Sequence, residues 1–180
     1  MEELIALMYD GMSETHDQVG GVFQSPEDEH QWYVPFLCQE HRFLVIFSLL
    51  SADPSAETFA KIIKTDSGHD LGPDAYSLKY AAADVYFSEN RFLPLSLDLA
   101  TRFRLVRKVP DQLVLATQTF IGYMPQAQEF LFFAGGESDR RIENLNAWYH
   151  RIGGMLAASV GFSPIHISEG EWHGYRKTQH

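Results

Sequence analysis

Apolar side chains follow a strand-like pattern over two neighbouring stretches early in the chain. Residues 33–38 and 43–50 are rich in aromatic and β-branched side chains, and a polar stretch at 39–42 separates them. Such runs predict two strands joined by a four-residue turn. The second run is apolar at nearly every position, which predicts a central strand covered on both faces.

Helical patterns appear at three other places. Residues 2–9 begin with two acids, which favour a helix N-terminus and predict a short helix. Asp53 and Pro54 supply a capping residue and a proline at the first helical position, so a middle helix is expected near 54–65. Near 138–160, apolar residues recur every three to four positions behind a capping serine, which predicts a long helix.

The middle of the chain favours strands by its alternation. Residues 75–87 combine alternation with an alanine run typical of helices, and we interpret them as a strand. Leucines at every second position begin an antiparallel meander, whose predicted strands lie at 93–99, 103–109, 113–124 and 129–134. Within it, Pro110 predicts a turn. Ile165 and Ile167 predict a short edge strand near the end.

These elements together predict a single α+β domain spanning residues 1–180. We expect one mostly antiparallel sheet of about five to seven strands, with the long C-terminal helix packed on one sheet face. Residues 169–180 are expected to form a polar C-terminal tail.

Charge is distributed unevenly along the chain. Residues 1–75 contain fourteen acids and three bases, and residues 76–180 contain ten acids and eleven bases, so their net charges are −11 and +1. An acidic surface repels phosphate backbones, so nucleic-acid binding is not expected. It attracts a basic protein surface, although the acids could equally serve only to solvate loops and helix starts.

The cysteine content and the terminal sequence indicate a compartment. Cys38 is the sole cysteine, which favours the reducing cytoplasm because a lone thiol forms no internal disulfide. The first residues place acids where a secretory signal requires bases. Because no apolar stretch is long enough to cross a bilayer, no membrane association is expected.

Short catalytic and cofactor motifs are missing from the sequence. It contains no glycine-rich phosphate loop, dinucleotide fingerprint, HExxH, paired CxxC, GxSxG or EF-hand loop. This favours a non-enzymatic protein with no cofactor and leaves catalysis open. One candidate is a thiolate and imidazole pair formed by Cys38 and His41 across the predicted turn; the alternative is that Cys38 is a small buried apolar residue.

Two further groups of residues have ligand-type side chains. His166, Glu169 and His173 cluster near the end, where chance clustering is favoured over a metal site. Aromatic residues near the long helix predict either a solid core or a pocket for an apolar small molecule between that helix and the sheet. Trp148, Tyr149 and Arg104 are the candidate ligand-binding residues of such a pocket.

Small residues thin the second half of the long helix. Gly153, Gly154 and Ala157 allow another element to approach closely, which favours tight packing within the chain and leaves a homodimer contact as the alternative. A second group is basic and is expected on a strand: Arg102, Arg104, Arg107 and Lys108. We expect these bases to be solvated or paired with the chain's own acidic N-terminal part, with a carboxylate or phosphate ligand as the alternative.

The leading functional hypothesis is a cytoplasmic interaction protein that presents an acidic N-terminal surface to a basic partner. Adaptors, secretion chaperones and inhibitor or immunity proteins share this physical character. The alternative is a small-molecule-binding protein or enzyme that uses the aromatic pocket.

Overall fold

The structure, a computed structural model, describes residues 2–13, 15–88, 97–133, 139–165 and 172–178. Within these ranges the side chains of residues 133, 139–146, 148 and 172 are not described. The helices of the described ranges are α1 (Glu2–Tyr9), α2 (Ala56–Ser67), α3 (Ala83–Tyr86), α4 (Leu99–Tyr123) and α5 (Asp139–Val160). The strands are β1 (Gln18–Val19), β2 (Phe23–Gln24), β3 (Gln31–Cys38), β4 (His41–Leu49), β5 (Ala75–Ala82), β6 (Glu129–Phe133), β7 (Phe162–Ile165) and β8 (Trp172–Lys177).

The strands form one sheet in the order β1-β3-β4-β5-β6-β8-β7, and β2 also pairs with β3. Strands β1 and β2 run antiparallel to β3, and β8 runs antiparallel to both β6 and β7. Strands β5 and β6 are parallel, with Tyr76 opposite Phe130. The α+β class is confirmed, but a mostly antiparallel sheet is wrong: the sheet is mixed. The long connection from β5 to β6 contains α4, and crossovers of this kind place neighbouring strands parallel.

The chain divides into two compact units, each built from two separate stretches. The first unit contains residues 1–46 and 80–123, and the second contains residues 47–79 and 124–180. The expectation of a single domain stays a prediction. Among the described helices, none combines the length and apolar content needed to cross a membrane.

Strand β3 is the centre of the first unit and is covered on both faces. Successive side chains of a strand point to opposite faces. The ring of Trp32 lies 6.1 Å from that of Phe120 on α4. Tyr33 belongs instead to a buried cluster with Met8 and Tyr9 of α1. The predicted short helix at 2–9 and the two long neighbouring strands are therefore confirmed, although the turn between the strands contains only two residues.

Helix α4 replaces three elements of the predicted meander. The range 103–109 and all of 113–124 except Met124 are helical, Leu99 begins the helix, and Pro110 lies inside it. A proline removes one backbone hydrogen bond from a helix but does not prevent one that is held by packing. Helix α4 packs along β3, so burial of its apolar face outweighs that loss. The residues 89–96, which include Leu93 and Leu95, lie outside the described ranges.

The middle helix is confirmed with a small shift. It was expected near 54–65 and begins at Ala56, because Asp53 forms a turn ahead of it: its Oδ1 accepts a hydrogen bond from the amide of Ser55 at 2.7 Å. The helix ends at Ser67 and is capped by Gly68, whose φ of 70° favours glycine. Residues 75–87, interpreted as a strand, form β5 as far as Ala82 and then α3.

The second unit contains the predicted C-terminal helix, which packs against β7 and β8. Aromatic rings of this unit pack closely: the ring of Phe132 lies 5.3 Å from that of Tyr149 and meets that of Tyr175 edge-on at 5.9 Å between ring centroids. Strand β7 lies at the end of the sheet, as expected for a short edge strand, although Ile167 lies outside the described residues. Part of the predicted polar tail is a strand instead: Trp172–Lys177 form β8, which pairs with both β6 and β7.

Candidate functional site

Consecutive acids lie on the turn between β2 and β3. Glu27, Asp28 and Glu29 are exposed. The turn is held by a hydrogen bond from the amide of Ser25 to the carbonyl of Gln31 at 2.8 Å, and Oδ1 of Asp28 accepts from the amide of His30 at 2.8 Å. These carboxylates therefore project from an ordered turn, which we name the acidic turn (residues 27–29). Because they are exposed, they attract cations from solution without the cost of burying a charge.

Helix α1 adds a second acidic surface to the first unit. Glu2 and Glu3 occupy its first turn and are exposed, and Asp10 follows it and is also exposed. The helix contains no base. Acids in the first helical turn are stabilised by the macrodipole, so their position has a structural explanation as well.

An open polar cleft of about 560 Å³ lies in the first unit. Three segments line it: residues 15–17 before β1, residues 39–41 at the turn between β3 and β4, and Thr101, Arg104 and Lys108 on α4. The lining contains cationic, anionic and neutral polar groups. Its chemistry suits a small polar ligand that both donates and accepts hydrogen bonds.

Asp17 connects the three walls of this cleft. Its Oδ1 accepts a hydrogen bond from the amide of Gln39 at 2.9 Å, and its Oδ2 lies 2.5 Å from Nζ of Lys108. Burial disfavours the charged carboxylate, but the hydrogen bonds from Lys108 and Gln39 outweigh it and lower the pKa of Asp17. The same carboxylate raises the pKa of Lys108 through its hydrogen bond. Asp17 therefore ties the hairpin turn to α4.

A short hydrogen-bonded chain fixes Arg104 at the cleft. The amide and the hydroxyl of Thr101 donate to the two carboxylate oxygens of Asp98 at 3.0 and 2.6 Å. These bonds, the hydroxyl bond first, lower the pKa of Asp98, which caps the start of α4. The guanidinium of Arg104 donates to the Thr101 hydroxyl at 3.1 Å. The arginine is thereby oriented before any ligand arrives.

The two-residue turn between β3 and β4 is conformationally costly. Gln39 and Glu40 have φ values of 53° and 69°. Tight hairpin turns of this kind favour Asn and Gly, and other residues cost about 1–2 kcal/mol each in the left-handed region. Strained backbone of this kind clusters at functional sites, and both residues line the cleft.

Replacing Gln39 with Asn and Glu40 with Gly is expected to raise the free energy of unfolding by about 1–2 kcal/mol, because this pair adopts positive φ readily. Urea denaturation measures the change. The control is the double alanine variant at the same two positions, which keeps the strained conformation and should give no gain. A stability equal to or below that of the unchanged protein would show that the turn is not strained.

The structure places Cys38 and His41 on either side of this turn. Cys38 is fully buried at the end of β3. Burial, followed by the negative charge of Asp17, raises the pKa of its thiol to about 11. The ring of His41 lies 6.5 Å from the ring of Phe43. A protonated, enclosed thiol is a poor nucleophile, so these observations favour the buried apolar role of Cys38.

The residues predicted to line an aromatic pocket are distributed over the two units. Arg104 lies in the first unit and Tyr149 in the second, the side chain of Trp148 lies outside the described residues, and the pocket that they would share stays a prediction. Burial raises the pKa of Tyr149 to about 12, and its ring packs on Phe132. The described rings of this region therefore resemble a solid core.

Of the predicted metal ligands, His166 and Glu169 lie outside the described residues. His173 lies on β8, where its ring contacts that of His150 at 4.6 Å between centroids. Burial, and then the charge of His150, lowers the pKa of His173 to about 4. Within the described part of the chain, no group of three or more His, Cys, Asp or Glu is arranged to hold a metal ion.

The lowered pKa of His173 predicts acid sensitivity. The unfolded chain binds this proton near pH 6.5 and the folded chain only near pH 4, so the free energy of unfolding should fall as the pH drops through that interval. Urea denaturation at a series of pH values measures the slope. His173→Gln should flatten it, whereas replacing the exposed His30 in the same way should not. An equal slope in all three proteins would contradict the assignment.

The helix residues proposed for a homodimer differ in their surroundings. A Cβ atom added at Gly153 would overlap the ring of Tyr175, whereas one added at Gly154 would meet nothing within 4 Å. Tight packing within the chain is therefore confirmed for Gly153. Gly154 is exposed and Ala157 is half-buried, and their use in a dimer stays a prediction.

The basic group at 102–108 lies on a helix, not on the expected strand, because the whole range belongs to α4. Its pairing with the acidic N-terminal part is confirmed at one position by Lys108 and Asp17. Sequence reasoning missed another pair: His69 and Glu129 approach to 2.9 Å in the second unit, and both side chains are largely buried. No local pattern indicates it, because the two residues lie 60 positions apart.

Comparison with known proteins does not assign the chain to a family. No protein-family model matches it, and no curated protein or solved structure shows significant similarity to it.

Proposed function

We propose that the chain is a non-enzymatic interaction protein whose acidic first unit binds a partner with a basic surface. The observation that supports this proposal is the exposure of the acidic turn on an ordered backbone. The exposed acids of α1 extend the same electrostatic character. Because Cys38 is a buried free thiol, a reducing compartment such as the cytoplasm suits the chain.

The ion pair of Asp17 with Lys108 distinguishes this acid from those of the acidic turn. Asp17 is neutralised by Lys108 within the chain, whereas Glu27 and Asp28 are exposed on the acidic turn. Exposed charges of one sign mainly accelerate association and select partners, and salt weakens their effect. The expected complex is therefore salt-sensitive. An adaptor, chaperone or inhibitor role would each use this surface.

The test neutralises the acidic turn without changing its shape. The variant Glu27→Gln/Asp28→Asn/Glu29→Gln keeps the side-chain oxygen that accepts from the amide of His30. Immobilised protein is used to capture partners from a lysate at low and high salt. We expect the unchanged protein to retain partners at low salt and to release them at high salt. The variant should not retain these partners.

A matched control separates the acidic turn from net charge. The variant Glu57→Gln/Asp84→Asn/Asp111→Asn neutralises the same number of exposed acids elsewhere. It should retain the same partners as the unchanged protein. Capture of nothing at low salt, or equal loss in both variants, would refute the proposal.

A second candidate function is binding of a small polar ligand in the cleft, and the orientation of Arg104 by Thr101 is the observation that favours it. This differs from the aromatic pocket considered from the sequence. Titration calorimetry with inorganic phosphate and with citrate is the direct test. Binding that Arg104→Gln abolishes would support this function, and no heat with either probe would count against it.

A further inference from the structure

Helix α4 exposes an apolar stripe near its start. Leu99, Phe103 and Val106 are 69%, 63% and 53% exposed. Their spacing of four and three residues places them on one face at about 100° per residue. Grouped exposed side chains of this size mark interaction surfaces on proteins. We name these three residues the α4 stripe.

Bases border the α4 stripe on both sides. Arg102 and Arg107 are exposed, and the helical rotation places one on each side of the stripe. The surface is therefore apolar at its centre and cationic at its margins. It suits an amphipathic element with apolar and acidic residues.

Helix α1 has the complementary composition. Leu7 is 59% exposed on its outer face, where Glu3 and Asp10 are also exposed. The stripe from Leu99 to Val106 rises about 10 Å along its helix, and α1 is about 12 Å long. The two surfaces therefore match in length, in apolar character and in the sign of their charges.

We propose that a second copy of the chain covers the α4 stripe, with α1 of one copy packed on α4 of the other. Because α1 and α4 cover opposite faces of β3, the contact is head-to-tail, and each copy offers α1 to one neighbour and α4 to another. Leu7 then meets the stripe around Phe103, and Glu3 and Asp10 approach Arg102 and Arg107. The contact goes beyond the proposed function, since it does not use the acidic turn.

The simplest test is the state of association in solution. Sedimentation velocity at low salt, over about 1 μM to 1 mM protein, should show a monomer that associates into dimers and longer head-to-tail assemblies as concentration rises. Leu7→Ser and Phe103→Ser should each weaken this association at least tenfold. Leu115→Ser is the matched control, because it removes an exposed apolar residue of α4 away from the stripe and should change nothing. A monomer at every concentration would overturn the proposal.

A charge-exchange experiment identifies the contacting surfaces. One variant carries Glu3→Arg and Asp10→Arg, and the other carries Arg102→Glu and Arg107→Glu. Each alone places like charges at the α1–α4 contact and should be monomeric. Their mixture restores opposite charges at this contact and should associate. Circular dichroism first confirms that both variants are folded, and a mixture that stays monomeric would refute the α1–α4 contact.

The outcome is independent of the proposed partner binding. Neutralising the acidic turn at Glu27, Asp28 and Glu29 should abolish partner capture and leave the association of copies unchanged. An unchanged protein that stays monomeric but captures partners refutes only the α1–α4 contact, and one that associates but captures none refutes only the proposed function.

Discussion

Replacing Gly153 with alanine is expected to lower the free energy of unfolding by about 3 kcal/mol, because overpacking a tight contact usually costs more than helix propensity returns. The added methyl group would overlap the ring of Tyr175 on β8, so this buried ring would have to shift or α5 and β8 would have to separate. Urea denaturation provides the measurement.

Gly154 is the matched control for this prediction. It lies one residue further along the same helix, and an added methyl group meets nothing within 4 Å. Alanine at this position should raise the free energy of unfolding by up to about 1 kcal/mol, because glycine is a poor helix former. The two substitutions should therefore have opposite signs. Similar effects from both would show that α5 does not approach β8 as described.

Replacing Glu129 with alanine is expected to lower the free energy of unfolding by about 3 kcal/mol. Its Oε1 lies 2.9 Å from Nε2 of His69, and its Oε2 accepts a hydrogen bond from the amide of Gly72 at 3.1 Å. Both donors would lose their partner inside the second unit. Thermal or urea denaturation measures the loss.

Two controls distinguish the buried network from a general effect of losing an acid. Glu129→Gln keeps the shape and an accepting oxygen, so it should cost only about 1 kcal/mol. Glu57→Ala removes an exposed acid and should change stability by less than about 0.5 kcal/mol. A loss below about 1 kcal/mol for Glu129→Ala would contradict the network.

Local patterns were sufficient for the elements whose faces differ clearly in polarity. Helices α1, α2 and α5 and strands β3, β4 and β6 follow from periodicity and capping residues, which act over a few neighbours. Burial of β4 from Phe43 to Phe47 also agrees with its continuous apolar run. Register and strand order depend on contacts far apart in sequence, so the parallel pairing of β5 and β6 was not foreseen.

Helix α4 misled the periodicity argument because its faces do not differ clearly in composition. Its buried positions include Thr101, Gln112 and Thr117, whereas Leu99 and Phe103 are exposed. The hydroxyl of Thr117 donates to the carbonyl of Leu113 at 2.8 Å, which allows a polar residue to be buried. The α4 stripe, which we propose that a second copy covers, weakens the helical pattern in the same way, because its apolar residues lie outside the core of the chain.

The candidate sites were only partly predictable. Charge asymmetry indicated that the bases of 102–108 would meet the acidic N-terminal part, and Lys108 does so at Asp17. Nothing local indicated the positive φ values of Gln39 and Glu40, because those residues do not favour that conformation. The proximity of His150 and His173 likewise depends on how α5 lies on β8.

The position of β8 has a consequence for shortened forms of the chain. This strand lies between β6 and β7 in the sheet but follows both in the chain. Without β8, β6 and β7 each leave the edge that β8 occupies unpaired, and open edges promote aggregation. A polypeptide that stops before residue 172 should therefore be retained by chaperones or degraded.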